Sequence, residues 1–158
     1  MNLKLPESIG VQFTFNRRPE PVPGEFRPRW KIAVILLSLR LCGRGSTFKA
    51  SIGKLKILSW ASRNSASQLA LFRFLDNHPQ PDDVLLRHEP VLVRALNLAA
   101  GMGLVSRSGD IISLTEMGAS LADSIKSDSE LLIDEKRFFS AVAKRLTEGK
   151  TNQLTEPQ

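Results

Sequence analysis

The chain is poor in reactive side chains. Its 158 residues include one cysteine, Cys42, no tyrosine, and two histidines, His78 and His88. A single cysteine excludes an intramolecular disulfide and a multi-cysteine zinc site. No metal-ligand spacing occurs around either histidine. Gly43-Arg44-Gly45-Ser46 lacks the spacing and the lysine of a phosphate-binding loop. A His–Cys dyad exists only on paper, because Cys42 ends an apolar run and reads as a small buried side chain. Asp82-Asp83 reads as a turn and helix-start pair rather than a general acid/base couple. These absences point away from an enzyme and leave no cofactor or small-molecule substrate to assign.

Long apolar runs are missing too. The longest, residues 32–39, is broken by Ser38 and flanked by Lys31 and Arg40. A bilayer span needs ~20 apolar residues. The opening MNLKLPESIG has no apolar core of a secretory signal. The expectation is a cytoplasmic protein with no membrane contact. A hydrophobic fraction of 42% is enough for a real core.

Acid is absent from one stretch. Residues 26–75 carry ten Lys/Arg and no Asp or Glu, whereas residues 76–158 carry nine Lys/Arg against thirteen Asp/Glu. The overall charge of +6 therefore conceals a strongly basic block beside a mildly acidic one. Such a block fits a phosphate backbone or an acidic protein partner. It also fits a surface that faces the acidic half of its own chain.

The richest pattern runs over residues 95–125. A helix stops at Gly101-Met102-Gly103, where glycine supplies a cheap helix end. Leu104 and Val105 begin a short strand, Arg107-Ser108-Gly109-Asp110 forms a turn, and Ile111, Ile112 and Leu114 return. Thr115 caps the next helix, and Gly118 lets it pack closely. Helix, strand, turn, strand, helix is the C-terminal half of a winged helix. The expected fold is mainly α with a small β-hairpin: a winged helix-turn-helix with an N-terminal arm and a C-terminal helix.

The divisions follow. Residues 1–30 read as an arm, with Val11, Phe13 and Phe15 alternating in a strand pattern before Pro19, Pro21, Pro23 and Pro28. Its aromatic face packs on its own domain or adds to a partner's sheet. Residues 31–126 form the winged-helix domain. Its parts are an all-round apolar helix over 32–42, a helix from Ser46 or Thr47 to about Ser62, and a third from Ser65 or Ser67 to about Asn77. The third places Leu69, Phe72 and Leu75 inward. A strand is expected at Val84-Leu85-Leu86, and then a helix over 89–101 with Pro90 in its first turn. Residues 127–147 form the C-terminal helix, opened by Ser127-Asp128-Ser129-Glu130 and apolar at Phe138, Phe139, Val142 and Leu146. Residues 148–158 read as a disordered tail.

Helical spacing nominates contact residues. On the second helix Phe48, Ile52, Leu55 and Leu58 share one face, while Lys49, Gly53, Lys56 and Trp60 lie near the opposite side. Trp60 beside lysines suggests a contact surface, since large aromatics concentrate at interfaces; packing on a neighbouring helix is the competing reading. The candidate nucleic-acid or partner contacts are Arg44, Lys49, Lys54, Lys56, Trp60, Arg63 and the wing residue Arg107. The helix that would read DNA bases offers only Arg94 and Asn97 among Val, Leu and Ala, a poor base reader. Leu92 and Leu96 are therefore expected to pack on a partner or on the terminal helix, as are Phe13 and Phe15 of the arm.

Pro28-Arg29-Trp30 entering KIAVILLSLR, then Gly43-Arg44-Gly45, LKILSWA and GLVSRSGDIISLTEMG together resemble the middle component of bacterial ABC three-component systems. These overlap with the Lamassu anti-phage and anti-plasmid defence systems. The resemblance spans roughly residues 10–147. It implies a small non-catalytic subunit that bridges an SMC-like ATPase, which senses foreign DNA, to an effector, often a nuclease. Winged-helix subunits of condensin-like complexes are a more distant comparison. No catalytic motif carries over. The alternative reading is a dimeric winged-helix transcriptional regulator that binds DNA.

Overall fold

The structure is a computed structural model that describes residues 27–80, 83 and 89–155. These residues are mainly helical, with seven helices and one small three-stranded antiparallel sheet. Helix α1 (Pro28–Cys42) is the centre of the molecule. Pro28 stands in its first turn, where the missing N–H costs nothing. Val34, Ile35, Leu36, Leu37 and Leu39 are all buried, so the helix is enclosed on every side as its sequence requires. It ends at Gly43, where a Cβ would stand 2.3 Å from the Leu39 carbonyl oxygen and 2.6 Å from the Phe48 backbone. No side chain fits there.

The next segment differs from the expected helix. Residues 43–49 form a tight hairpin in which Arg44 and Lys49 exchange two backbone hydrogen bonds, each 2.8 Å. Gly45 (φ +72°) and Phe48 (φ +51°) supply its left-handed turns. The Arg40 guanidinium lies 4.5 Å from the Phe48 ring centroid and pins the hairpin to α1. Strand β1 (Ala50–Ser51) follows, and α2 (Ile52–Ala61) begins only then. Ser51 is its N-cap, accepting from the Lys54 N–H at 3.1 Å. Pairing with a strand sixty residues away outweighs local helix pattern here.

Helix α3 (Ser65–Leu75) is capped by Asn64, whose side chain accepts from the Ser67 N–H at 2.8 Å. Its inward face is turned from the expected one: Ala70, Leu71 and Leu75 are buried, while Leu69 is 51% exposed. Phe72 is half-buried and meets Phe138 edge-on at 6.0 Å. Helix α4 (Pro90–Gly101) leads directly into β2 (Val105–Ser108) and β3 (Ile111–Leu114). The hairpin and both its bounding helices lie where the sequence put them. The sheet order is β1-β3-β2. Its third strand is thus β1, and Val84-Leu85-Leu86, the expected strand, lies outside the described residues.

Thr115 caps α5 (Glu116–Ser127), accepting from the Gly118 N–H at 3.0 Å and donating to the Gly103 carbonyl at 2.6 Å. A Cβ on Gly118 would sit 1.8 Å from the Leu104 carbonyl oxygen, so helix and strand touch through glycine. The Asp128 carboxylate accepts from the Glu130 and Leu131 N–H groups, which holds its pKa below the usual carboxylate value. Helix α6 (Ile133–Val142) starts after that turn and buries Phe138, Phe139 and Val142; Leu146, just beyond it, is buried as well.

The expected tail is the largest correction. Glu148–Thr155 is a further helix, α7, packed on α2. Thr151 is fully buried, and the methyls of Thr151 and Thr155 stand 3.5 and 3.3 Å from the position a Gly53 Cβ would take. Lys150 donates to the Leu75 carbonyl at 2.9 Å, tying α7 to the end of α3. Shape and hydrogen bonds hold this polar helix, with Leu154 its one apolar side chain packed against the core. No helix among the described residues is long and apolar enough to cross a membrane.

Candidate functional site

The residues nominated from sequence fall into three environments. The first is a buried polar cluster. Lys31 donates to the Ser59 hydroxyl at 2.9 Å, and Ser59 donates to Glu89 at 2.7 Å. The Lys31 ammonium is 3.8 Å from that carboxylate, and Arg63 reaches its other oxygen at 3.2 Å. Glu89 thus ties the start of α4 to α1 and to the end of α2. Arg63, expected as a contact residue, joins this pair while its side chain stays 37% exposed.

The second environment is the core. Lys54 is 2% exposed and Trp60 is 8% exposed, so neither forms the outer contact surface expected of them. The face read as outward is the one α7 covers at Gly53. Lys56 is half-buried on the same helix. Burial lowers the Lys54 pKa from 10.5, with Glu148 opposing that shift and Arg44 adding to it. Burial also pushes the Cys42 thiol up to about 12, and it donates to the Phe139 carbonyl at 3.4 Å. Cys42 is therefore a thiol at neutral pH, not a nucleophile. Leu92 and Leu96 are likewise buried, packed within the protein's own core beside α1. They are not free to meet a partner. Phe13 and Phe15 lie outside the described residues.

The third environment is exposed. Arg44 and Lys49 stand on the rim of a cleft of about 970 Å³. The register shows how its floor is made. Ser51, Ile111 and Ser108 lie in one row across the sheet, and Ser113 pairs with Ser106 in the next. Side chains alternate along a strand, so these residues share the face opposite Val105, Ile112 and Leu114, which are buried. Glu148 and Asn152 of α7 form the far wall. The Glu148 carboxylate accepts from the Ser51 hydroxyl at 2.7 Å and from its N–H at 3.4 Å. Arg107 belongs to the alternate set, paired with Ile112. Its Nε donates to the Gly109 carbonyl at 3.0 Å at the wing tip, so it does not join Arg44 and Lys49.

A further surface lies on α4 and α5. Arg94 and Asn97 are exposed on α4, with Leu98 46% and Met102 53% exposed beside them. Arg94, Leu98 and Met102 follow i, i+4, i+8 spacing and so share one stripe. Met117 and Leu121 of α5 are 59% and 41% exposed at the same spacing. The Met117 methyl approaches Gly103 at 3.7 Å from its would-be Cβ, which joins the end of α4 to the start of α5.

Among the described residues no group of three or more His, Cys, Asp or Glu is placed to hold a metal ion. Comparison of the chain with protein-family models, with curated proteins and with solved structures gives no match.

Proposed function

We propose that the protein is a non-catalytic winged-helix subunit whose α4–α5 surface is held by another polypeptide. The observation that carries this reading is the outward stripe of α4. In a winged helix the element before the hairpin is the one that enters a DNA groove, and here its exposed large side chains are Val93, Leu98 and, at its C-cap, Met102, beside one arginine and one asparagine. Methionine-rich surfaces adapt to protein partners. The winged-helix assignment is supported by a helix leading into a two-stranded wing, with a first short strand pairing on its inner edge in the order β1-β3-β2.

The motifs of α1, the Gly43 turn, α2 and the wing extend the reading to an accessory subunit of an SMC-like ATPase defence complex, placed between the DNA-sensing ATPase and an effector nuclease. Co-expression with an adjacent SMC-like ATPase tests it. The expected result is a stable co-purifying complex that Leu98→Glu/Met102→Glu disrupts while the variant stays folded. Separate elution of the two wild-type proteins contradicts it.

A second reading keeps one specific support. Arg94 and Asn97 are both exposed on α4, which is what a dimeric winged-helix transcriptional regulator would use. A footprint on a palindrome, with a specific-to-nonspecific ratio of about 10³ or more, would favour it over the subunit reading.

A further inference from the structure

The cleft on the outer face of the sheet holds two like charges in a costly arrangement. Arg44 and Lys49 are directly opposed across a hydrogen-bonded antiparallel pair. Opposed residues of such a pair project to the same side, and like charges there repel. The hairpin is not loose enough to relieve this. Two left-handed turns and the Arg40–Phe48 contact fix it against α1. Neither cation makes a salt bridge among the described residues, although Arg40, Arg63 and Arg73 of the same basic block each do.

The rest of the cleft suits an anion of a particular kind. Its floor presents the hydroxyls of Ser108 and Ser113, and its wall the Asn152 amide, while the Ser51 hydroxyl is committed to Glu148. Hydroxyls and amides are the usual partners of phosphate oxygens beside Arg and Lys. The lining contains no aromatic residue, so there is no platform on which an unpaired base can stack. The one carboxylate among the described residues of the cleft, Glu148, is hydrogen-bonded to Ser51, so an anionic group already stands in its wall.

From this geometry we infer that the cleft between the Arg44–Lys49 hairpin, the serine face of the sheet and α7 is a docking site for the phosphodiester backbone of duplex DNA, bound without regard to sequence. Arg44 and Lys49 each neutralise one phosphate. Ser108 and Ser113 fix the backbone's position. Glu148 is the internal anion that the incoming phosphates oppose. The inference does not depend on which polypeptide holds α4, since it uses none of the α4–α5 residues.

Fluorescence anisotropy of the full-length chain with a labelled 20-base-pair duplex of arbitrary sequence, titrated with salt, tests it. Wild type is expected to bind in the range of nonspecific complexes, with Kd between about 10⁻⁴ and 10⁻⁶ M. Arg44→Gln/Lys49→Gln is expected to lose at least about tenfold in affinity at 50 mM salt, with the slope of log K against log salt shallower by about 1.8, two phosphates' worth. Glu148→Gln, which keeps an oxygen for Ser51, is expected to bind tighter. Lys126→Gln/Lys144→Gln removes the same charge from exposed positions on other elements and is expected to change binding less than twofold. Equal losses in the two double variants would mean that net charge alone attracts DNA and would overturn the inference. So would an absence of duplex binding at low salt, or binding of a polyglutamate peptide to Arg44 and Lys49 with no response to DNA. Circular dichroism of each variant keeps the comparison to folded protein.

Discussion

Two groups of cations drawn from one basic block meet opposite fates. Around Glu89, Lys31 and Arg63 are neutralised by a carboxylate from the acidic half of the chain, and Ser59 completes the hydrogen bonding. Arg40 and Arg73 find Asp123 and Asp83 in the same way. At the cleft, Arg44 and Lys49 oppose one another, and neither they nor the buried Lys54 make a salt bridge among the described residues. A run of ten like charges is therefore not one surface. Part of it is paired internally, and Arg44 and Lys49 stand exposed at the cleft. Net charge cannot separate the two, but the pairing pattern can.

The comparison breaks most visibly at Glu89. Glu89→Ala should cost about 3–5 kcal/mol in urea unfolding, because it breaks a buried ion pair with Lys31 and removes the carboxylate that Ser59 and Arg63 also bond. A loss under 1 kcal/mol would mean that Lys31 is neutralised elsewhere and that the two groups do not differ. Lys54 should respond in the opposite direction. Lys54→Met removes a buried charge that has no ion pair among the described residues and should raise stability by about 1–2 kcal/mol, or a few degrees in Tm. The sign has a pH signature. The folded pKa of Lys54 lies below the unfolded value of 10.5, so the unfolded chain binds the proton more tightly. Stability then rises with pH through the interval that ends near 10.5, and the advantage of Lys54→Met shrinks across it. A constant advantage at all pH values would contradict the assignment.

Smaller effects sharpen the contrast. Thr115→Ala removes the α5 cap and should cost about 1 kcal/mol, leaving both charge groups untouched. Arg44→Gln and Lys49→Gln should each change stability by less than about 0.5 kcal/mol, since neither makes an internal salt bridge. A marked loss from either would place it with Lys31 and Arg63 as a structural cation.

The legible parts of the fold were those with local causes. The apolar helix α1, the Gly101–Thr115 hairpin and the Thr115 cap all follow from residues near one another in sequence, and all lie where expected. Strand β1 was not legible, because two residues become a strand only by meeting Ile111 and Ile112. Helix α7 was not legible either. It is polar and buries only Thr151, so no hydrophobic period announces it. That omission misplaced the site, because Gly53 and its neighbours on α2 look outward until α7 is laid over them. Arg44 and Lys49 are exposed, but Lys49 lies in a hairpin rather than on the helical face from which it was nominated. One cleft serine carried a signal in the sequence: Ser108 stands two residues from Ser106 and alternates with Arg107 and the buried Val105, which marks it as the outer face of a strand.

The most direct measurement is a map of amide chemical shifts as duplex DNA is added to the full-length protein. The account predicts that perturbations gather at residues 44–51, 106–113 and 148–152, on one face of the sheet, while Arg94 and Asn97 stay unmoved. Perturbations centred on Arg94 and Asn97, with Arg44 and Lys49 silent, would contradict it.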